Sequence, residues 1–372
     1  MNIDDSLFLD EVTRRANSRM MSIKKEVGFL TEEVRVESLD SAFNEAVDDA
    51  EEIAPDFLAE FRARIIERRK ERALHEERVR RTNLKRWDAG FREFNELLVI
   101  ADAFLREMGE VVFDWYSEHE EPKEVRLLGT DGIGGGGLKA FLFISMHARA
   151  CAISAEIHLL MERGYPDGVN SRLRSLYETV VMMCALVHAE AAADTEVTER
   201  YCAWSAVEAK KEGSALAGLP GGVEVADEDI PEFEQRAKDR WGAAFFKQHG
   251  WALPLFPGRS GGVTFSDIDR LVGIQDMRPL YLTGNHSIHA GPTSMMRRVD
   301  FTQAGDFFIS GAEAVSPEEI GAAMTNTIYL LTHSALTAHY TISALTGSFN
   351  IRFLANPLLK AAKSAVDMFE VR

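Results

Sequence analysis

The chain has 372 residues, 46% of them hydrophobic and 27% charged, a composition that excludes collagen-like, low-complexity and wholly disordered classes. Forty-two Lys and Arg against 59 Asp and Glu give a formal charge of -17, which repels nucleic acid and anionic membranes wherever basic residues are not gathered locally. Three cysteines with no C-x-x-C pair point to free thiols in a reducing cytoplasm, and the N-terminus shows no secretory signal.

Strand patterns are nearly absent, so the expected fold is mainly α: an extended N-terminal helical arm, a C-terminal helical bundle and at most one short hairpin, over 299–308. Residues 1–55 read as an acidic, loosely ordered segment, and 56–116 as a long helical arm. Basic residues concentrate in its first part, with eleven Lys or Arg against four Glu between Arg62 and Arg86. Arg68, Arg69, Lys70, Arg72, Arg80, Arg81, Lys85 and Arg86 are the candidates for contact with RNA or another nucleic acid. The bland alternative is a solvated helix face. Next, Trp87, Phe91, Phe94, Leu98, Ala101, Leu105, Met108, Val112 and Trp115 recur every three or four residues, a heptad seam suited to a bundle neighbour or to a second copy. A homo-oligomer through residues 87–115 is therefore expected.

Residues 117–137 form a Gly-rich linker. Its G-x-G-x-x-G run, Gly132 to Gly137, lacks the second strand and acidic residue of a dinucleotide fold. The bundle domain follows over 138–349, with helices at 138–163, 169–193, 197–216 and 231–248, another from about Ser266 towards Tyr281, and a tail at 350–372. Ser316-Pro317-Glu318-Glu319 announces the last long helix, with an N-cap serine, proline at the first helical position and glutamate at the third. The longest stretch without Asp, Glu, Lys or Arg, 320–351, is too rich in Asn, His, Ser and Thr for a membrane span and reads as a buried helix.

Two segments carry chemistry. In the first, Arg174 and Glu178 stand four apart inside an apolar helix, either as a register-fixing ion pair or as the rim of a polar pocket where guanidinium meets phosphate. The second runs from Arg278 through Tyr281, Asn285, His286 and His289. A neutral imidazole takes a proton from a hydroxyl and returns it near pH 7 while arginine holds phosphate, which are the parts of metal-independent RNA cleavage. Helix termination before Gly291-Pro292 is the structural alternative. His286 and His289 with His333 or His339 match no metal motif such as H-E-x-x-H, so neither metal nor cofactor is expected.

Gly164-Tyr165, Arg174-Ser175-Leu176-Tyr177-Glu178, Arg200-Tyr201, and Tyr281 to Asn285 to His289 resemble the pattern of a bacterial family of helical domains of unknown function, over about 138–345. The histidine segment is also similar to that of HEPN-type ribonucleases, helical domains common in toxin and phage-defence systems, whose active site is an Arg, four to six intervening residues, then His, with a polar residue next to the Arg. Here seven residues separate Arg278 from His286 and ten separate it from His289, a departure from that pattern. The resemblance implies a defence or toxin-type effector acting on RNA. The competing expectation is a non-catalytic helical protein that dimerises through its N-terminal helix and binds nucleic acid.

Overall fold

A computed structural model describes residues 55–118, 135–189, 196–217, 230–288, 316–348 and 350–370, with scattered positions between 14 and 45. Among these residues all regular structure is helical, which makes the fold mainly α. The helices are α1 (Pro55–Glu118), α2 (Gly135–Arg163), α3 (Pro166–Ala189), α4 (Glu196–Ala217), α5 (Ile230–Trp241), α6 (Phe265–Val272), α7 (Arg278–Ile288), α8 (Pro317–Thr346) and α9 (Asn350–Phe369). Short 3-10 turns follow α5 and precede α7. Most of the acidic N-terminal segment, residues 119–134 of the linker expected at 117–137 and the hairpin expected at 299–308 lie outside the described residues, while 117–118 and 135–137 of that linker are helical.

The chain divides into two compact units, residues 1–76 and 77–372. In the first, the opening of α1 is a solvated helix whose described side chains from Arg62 to Leu74 are exposed. Arg68 pairs with Glu71 at 3.1 Å and Arg72 with Glu76 at 3.0 Å, the spacings at which helix neighbours meet.

In the second unit the rest of α1 is a core helix. Phe94, Leu97, Ala101, Phe104 and Met108 are almost fully buried, while Leu98, Leu105 and Val112 of the heptad seam are only half-buried. The buried stripe keeps the seven-residue spacing of Trp87, Phe94, Ala101 and Met108, with Leu97 and Phe104 filling it in place of Leu98 and Leu105. Its partners come from the same chain. Phe91 and Phe369 lie 5.7 Å apart, Phe104 stacks on His339 at 5.4 Å, and Asn83 donates to the carbonyl of Met161 that ends α2. Part of the seam expected to join two copies is thus covered inside one, while Leu98, Leu105 and Val112 stay half-buried.

Helix ends follow their local chemistry. The N–H groups of Gly164 and Tyr165 close α2 on Met161 and Leu160, and Pro166 opens α3. Ser316 and Glu319 form the expected capping box at the start of α8. The single helix expected from Ser266 to Tyr281 is instead two. Gly273 at φ 75 ends α6 in a conformation costly for any side chain, and α7 restarts with Pro279 in its first turn. The tail expected after 349 holds α9, which packs on α8. One helix, 136–163, is long and apolar enough to cross a bilayer, yet it packs on α3 and α8 with Phe143, Ile157 and Met161 buried among them.

His147 joins three helices. From α2 it meets Ser334 of α8 at 3.0 Å and the carbonyl of Ala101 in α1 at 3.4 Å. Burial lowers its pKa from 6.5 to about 4, so the folded state keeps it neutral while the unfolded chain takes up a proton below pH 6.5. The stability this supports is complete above pH 6.5 and is lost as pH falls towards 4, amounting to roughly 3 kcal/mol. Urea unfolding at about pH 7.5 and 4.5 should show most of that loss in the native chain and little in His147→Gln. Equal losses in both would move the acid sensitivity elsewhere.

Candidate functional site

α3 packs against both α6 and α7, and this junction gathers the polar residues of the second unit. Arg174, Tyr177 and Glu178 occupy neighbouring turns of α3, so they face the same neighbours. The close approach depends on Gly284 of α7. A Cβ there would stand 2.7 Å from Arg174 Cβ and 2.8 Å from the Asn170 carbonyl oxygen.

Arg174 is held on two sides. Its Nε donates to Glu178 Oε1 at 3.0 Å, and its Nη2 reaches the Tyr281 hydroxyl at 3.5 Å, the limit of a hydrogen bond. The guanidinium carbon stands 4.8 Å from the centre of the Tyr281 ring, whose ring also stacks on Phe265 at 4.8 Å. Nη1 is buried and donates to no partner among the described residues. The side chains of Arg174 and Glu178 keep 18% and 37% of their exposure, so the pair lies at the edge of the packing.

Behind this pair is a second network. The Asp269 side chain is 2% exposed and accepts from the Tyr177 hydroxyl and from Arg278 Nη1 at 3.1 Å. Arg278 Nη2 donates to Ser266 Oγ at 2.8 Å. Burial, reinforced by the Asp269 carboxylate, pushes the Tyr177 phenol well above its ordinary range, which keeps it a neutral donor.

Arg174, Glu178 and Tyr281 therefore come together, while Arg278 is tied to Asp269. Asn285 is half-buried beside Gly284. His286 is exposed and stands about 100° round the helix from Asn285, off the side that meets α3. His289 lies outside the described residues. Tyr177, Phe265, Ser266 and Asp269 are not among the site residues expected from the sequence. The available signal was a carboxylate among apolar positions, since Phe265, Asp269 and Val272 share one face of α6.

Along the basic stretch four of the eight candidate residues pair with carboxylates. Besides the pairs at Arg68 and Arg72, Arg81 binds Glu77 at 2.7 Å and Arg80 binds Glu162 of α2 at 2.6 Å. Arg86 lies 5.6 Å from the Trp87 ring. Arg69, Lys70 and Lys85 are exposed, and none of them pairs with a carboxylate among the described residues. No cluster of three or more His, Cys, Asp or Glu suited to a metal occurs among the described residues.

No curated protein and no solved structure matches the chain. Nothing in the comparisons points to HEPN-type ribonucleases, so that likeness rests on the histidine segment alone. Residues 140–307, which carry Arg174, Glu178 and Tyr281 but stop before α8, match a family of unknown function, DUF5677, in line with the resemblance to a helical family without an assigned activity.

Proposed function

We propose that the Arg174–Glu178–Tyr281 junction is the phosphate-contacting part of a cytoplasmic, defence or toxin-type effector that cleaves RNA by metal-independent acid-base chemistry. The observation that carries this reading is the Arg174 guanidinium, fixed by Glu178 and Tyr281 with a third donor, Nη1, left without a partner among the described residues. A buried donor without a partner costs about 1–3 kcal/mol, an expense a phosphate oxygen would remove. Arg174 takes the phosphate role in preference to Arg278, whose guanidinium neutralises Asp269.

In this mechanism an imidazole, that of His289 or His286, removes the proton from a ribose 2′-hydroxyl. The oxygen forms a bond to phosphorus, the bond to the 5′-oxygen breaks, and that oxygen takes a proton from an acid in the site, for which Tyr281 stands nearest the guanidinium. Arg174 holds the charge that develops on the phosphoryl oxygens.

Purified protein should cut single-stranded RNA in the presence of a chelator. Arg174→Lys should lower the rate by about 100-fold, equivalent to roughly 3 kcal/mol of transition-state stabilisation, because a point charge cannot replace the held fork. His286→Ala combined with His289→Ala should abolish cutting. Full activity in either variant, or none in the native protein, overturns the reading. RNA bound but uncut would favour a non-catalytic nucleic-acid-binding protein, to which the exposed Arg69, Lys70 and Lys85 point.

A further inference from the structure

While α7 is in place no solute reaches the donor assigned to phosphate. Arg174 Nη1 is shut off from water, and α7 lies over the side chain that carries it. The Tyr281 ring stands 4.8 Å from the guanidinium carbon, its hydroxyl 3.5 Å from Nη2, and Gly284 packs on the stem of the same arginine. A phosphate oxygen must come within about 2.7–2.9 Å of the nitrogen to accept from it. The covering helix therefore has to move before the bond can form.

α7 has the build of a part that moves. Among its described residues only Gly284 is sealed, and it has no side chain to interlock with α3. Leu282 and Ile288 each keep 49% of their exposure. α3, by contrast, buries Leu173, Leu176, Val180 and Val181 almost completely. A helix with so few sealed apolar contacts opens at a small fraction of the free energy of global unfolding. Its two ends are also held differently. In the first turn Arg278 is fastened to α6 by Asp269 at 3.1 Å and by Ser266 at 2.8 Å, and Gly273 at φ 75 separates the two helices. In the last turn Ser287 Oγ donates to Asp167 Oδ1 of α3 at 3.2 Å, and the Tyr281 hydroxyl in between is at the limit of a hydrogen bond. Rotation about the fastened end lifts Tyr281 and Ser287 away from α3 and uncovers Arg174.

We propose that α7 is a lid that swings about its Arg278 end, admits a phosphate-bearing strand to Arg174 and closes over it again with Tyr281. The lid governs access to the site described above, and so its role rests on Arg174 being the phosphate contact. Closed and empty, it leaves the guanidinium to Glu178 and Tyr281 and keeps other anions out. Closed and occupied, it shuts water away from the new bond between Nη1 and the phosphate oxygen, and such a bond is stronger where water does not compete for it. Occupancy therefore favours closure, because the ligand interacts better with the closed state. Opening of α7 sets the ceiling on the rate at which strands enter and leave.

Asp167→Cys with Ser287→Cys places a thiol on each side of the free end, and a short bis-methanethiosulfonate reagent joins the two reversibly. The joined protein should lose at least about tenfold in RNA cutting and recover it in dithiothreitol, while each single-cysteine variant given the same treatment keeps its rate. Hydrogen exchange of the native full chain reads the lid without any substitution. An 11-residue helix lifted off the bundle does not stay helical by itself. Amides from Thr283 to Ile288 should therefore exchange at least about 100-fold faster than those of α3 from Leu173 to Val181. A 2′-O-methyl RNA, which offers no hydroxyl for cutting, should slow them. Joined protein that cuts as fast as the reduced form, or α7 amides as protected as those of α3, would overturn the lid and leave Arg174 as the phosphate contact. An Arg174→Lys variant as active as the native chain, with α7 still exchanging fast, would instead overturn the phosphate contact on which the role of the lid rests.

Discussion

Asp269→Ala should lower the unfolding free energy by about 3 kcal/mol, the lower end of the cost of breaking a buried ion pair. The carboxylate accepts from Tyr177 and Arg278 in a position almost closed to water. Its removal leaves a phenol held neutral by its surroundings without an acceptor, and a guanidinium without a counter-charge. Arg278 retains about a third of its exposure and turns partly to solvent, which keeps the loss from reaching the upper end of the range. Asp269→Leu combined with Arg278→Leu should recover part of the stability, because the pair is then replaced by apolar packing and no charge is stranded. Urea unfolding of the three proteins checks this. A single variant as stable as the native chain would show that the network does not brace the junction of α3, α6 and α7.

Gly284→Ala should cost about 1–3 kcal/mol and disable the Arg174 site in the same step. Its new methyl would stand 2.7 Å from Arg174 Cβ and 2.8 Å from the Asn170 carbonyl oxygen. One of those atoms is backbone, so α7 must move away from α3, taking Tyr281 out of contact with the guanidinium. Gly109 is the internal control. It lies within α1 with nothing within 4 Å of an added Cβ, so Gly109→Ala should raise stability by about 0.5–1 kcal/mol through helix propensity alone. Thermal melts of the two variants should therefore move in opposite directions. A shift to higher temperature for Gly284→Ala would contradict the close contact between the helices.

Local signals were legible in the sequence. The capping box at Ser316, the Gly164-Tyr165-Pro166 break and the Arg174–Glu178 spacing each involve residues within four positions of one another, and the structure uses each of them as short-range chemistry predicts. What long range decides was not legible. Nothing near Arg278 announces Asp269 as its partner, because the two lie on separate helices divided by Gly273. Spacing likewise states that the seam of α1 needs a neighbour without naming it, and here α2, α8 and α9 of the same chain supply one. Gly284 looked like an ordinary helical glycine until Arg174 and Asn170 were placed against it. The candidate site was thus half visible: its arginine, carboxylate and tyrosine stood out as polar groups in apolar runs, whereas the carboxylate that holds Tyr177 and Arg278 behind them was hidden in a short helix.

The central claim is that the unpartnered Nη1 of Arg174 meets phosphate. Guanidinium ¹⁵N resonances of the full-length protein, assigned with Arg174→Lys, should show a saturable shift at Arg174 when a short single-stranded RNA is added, with Arg278 little changed. An Arg174 signal unmoved by RNA, or a shift confined to Arg278, would contradict it.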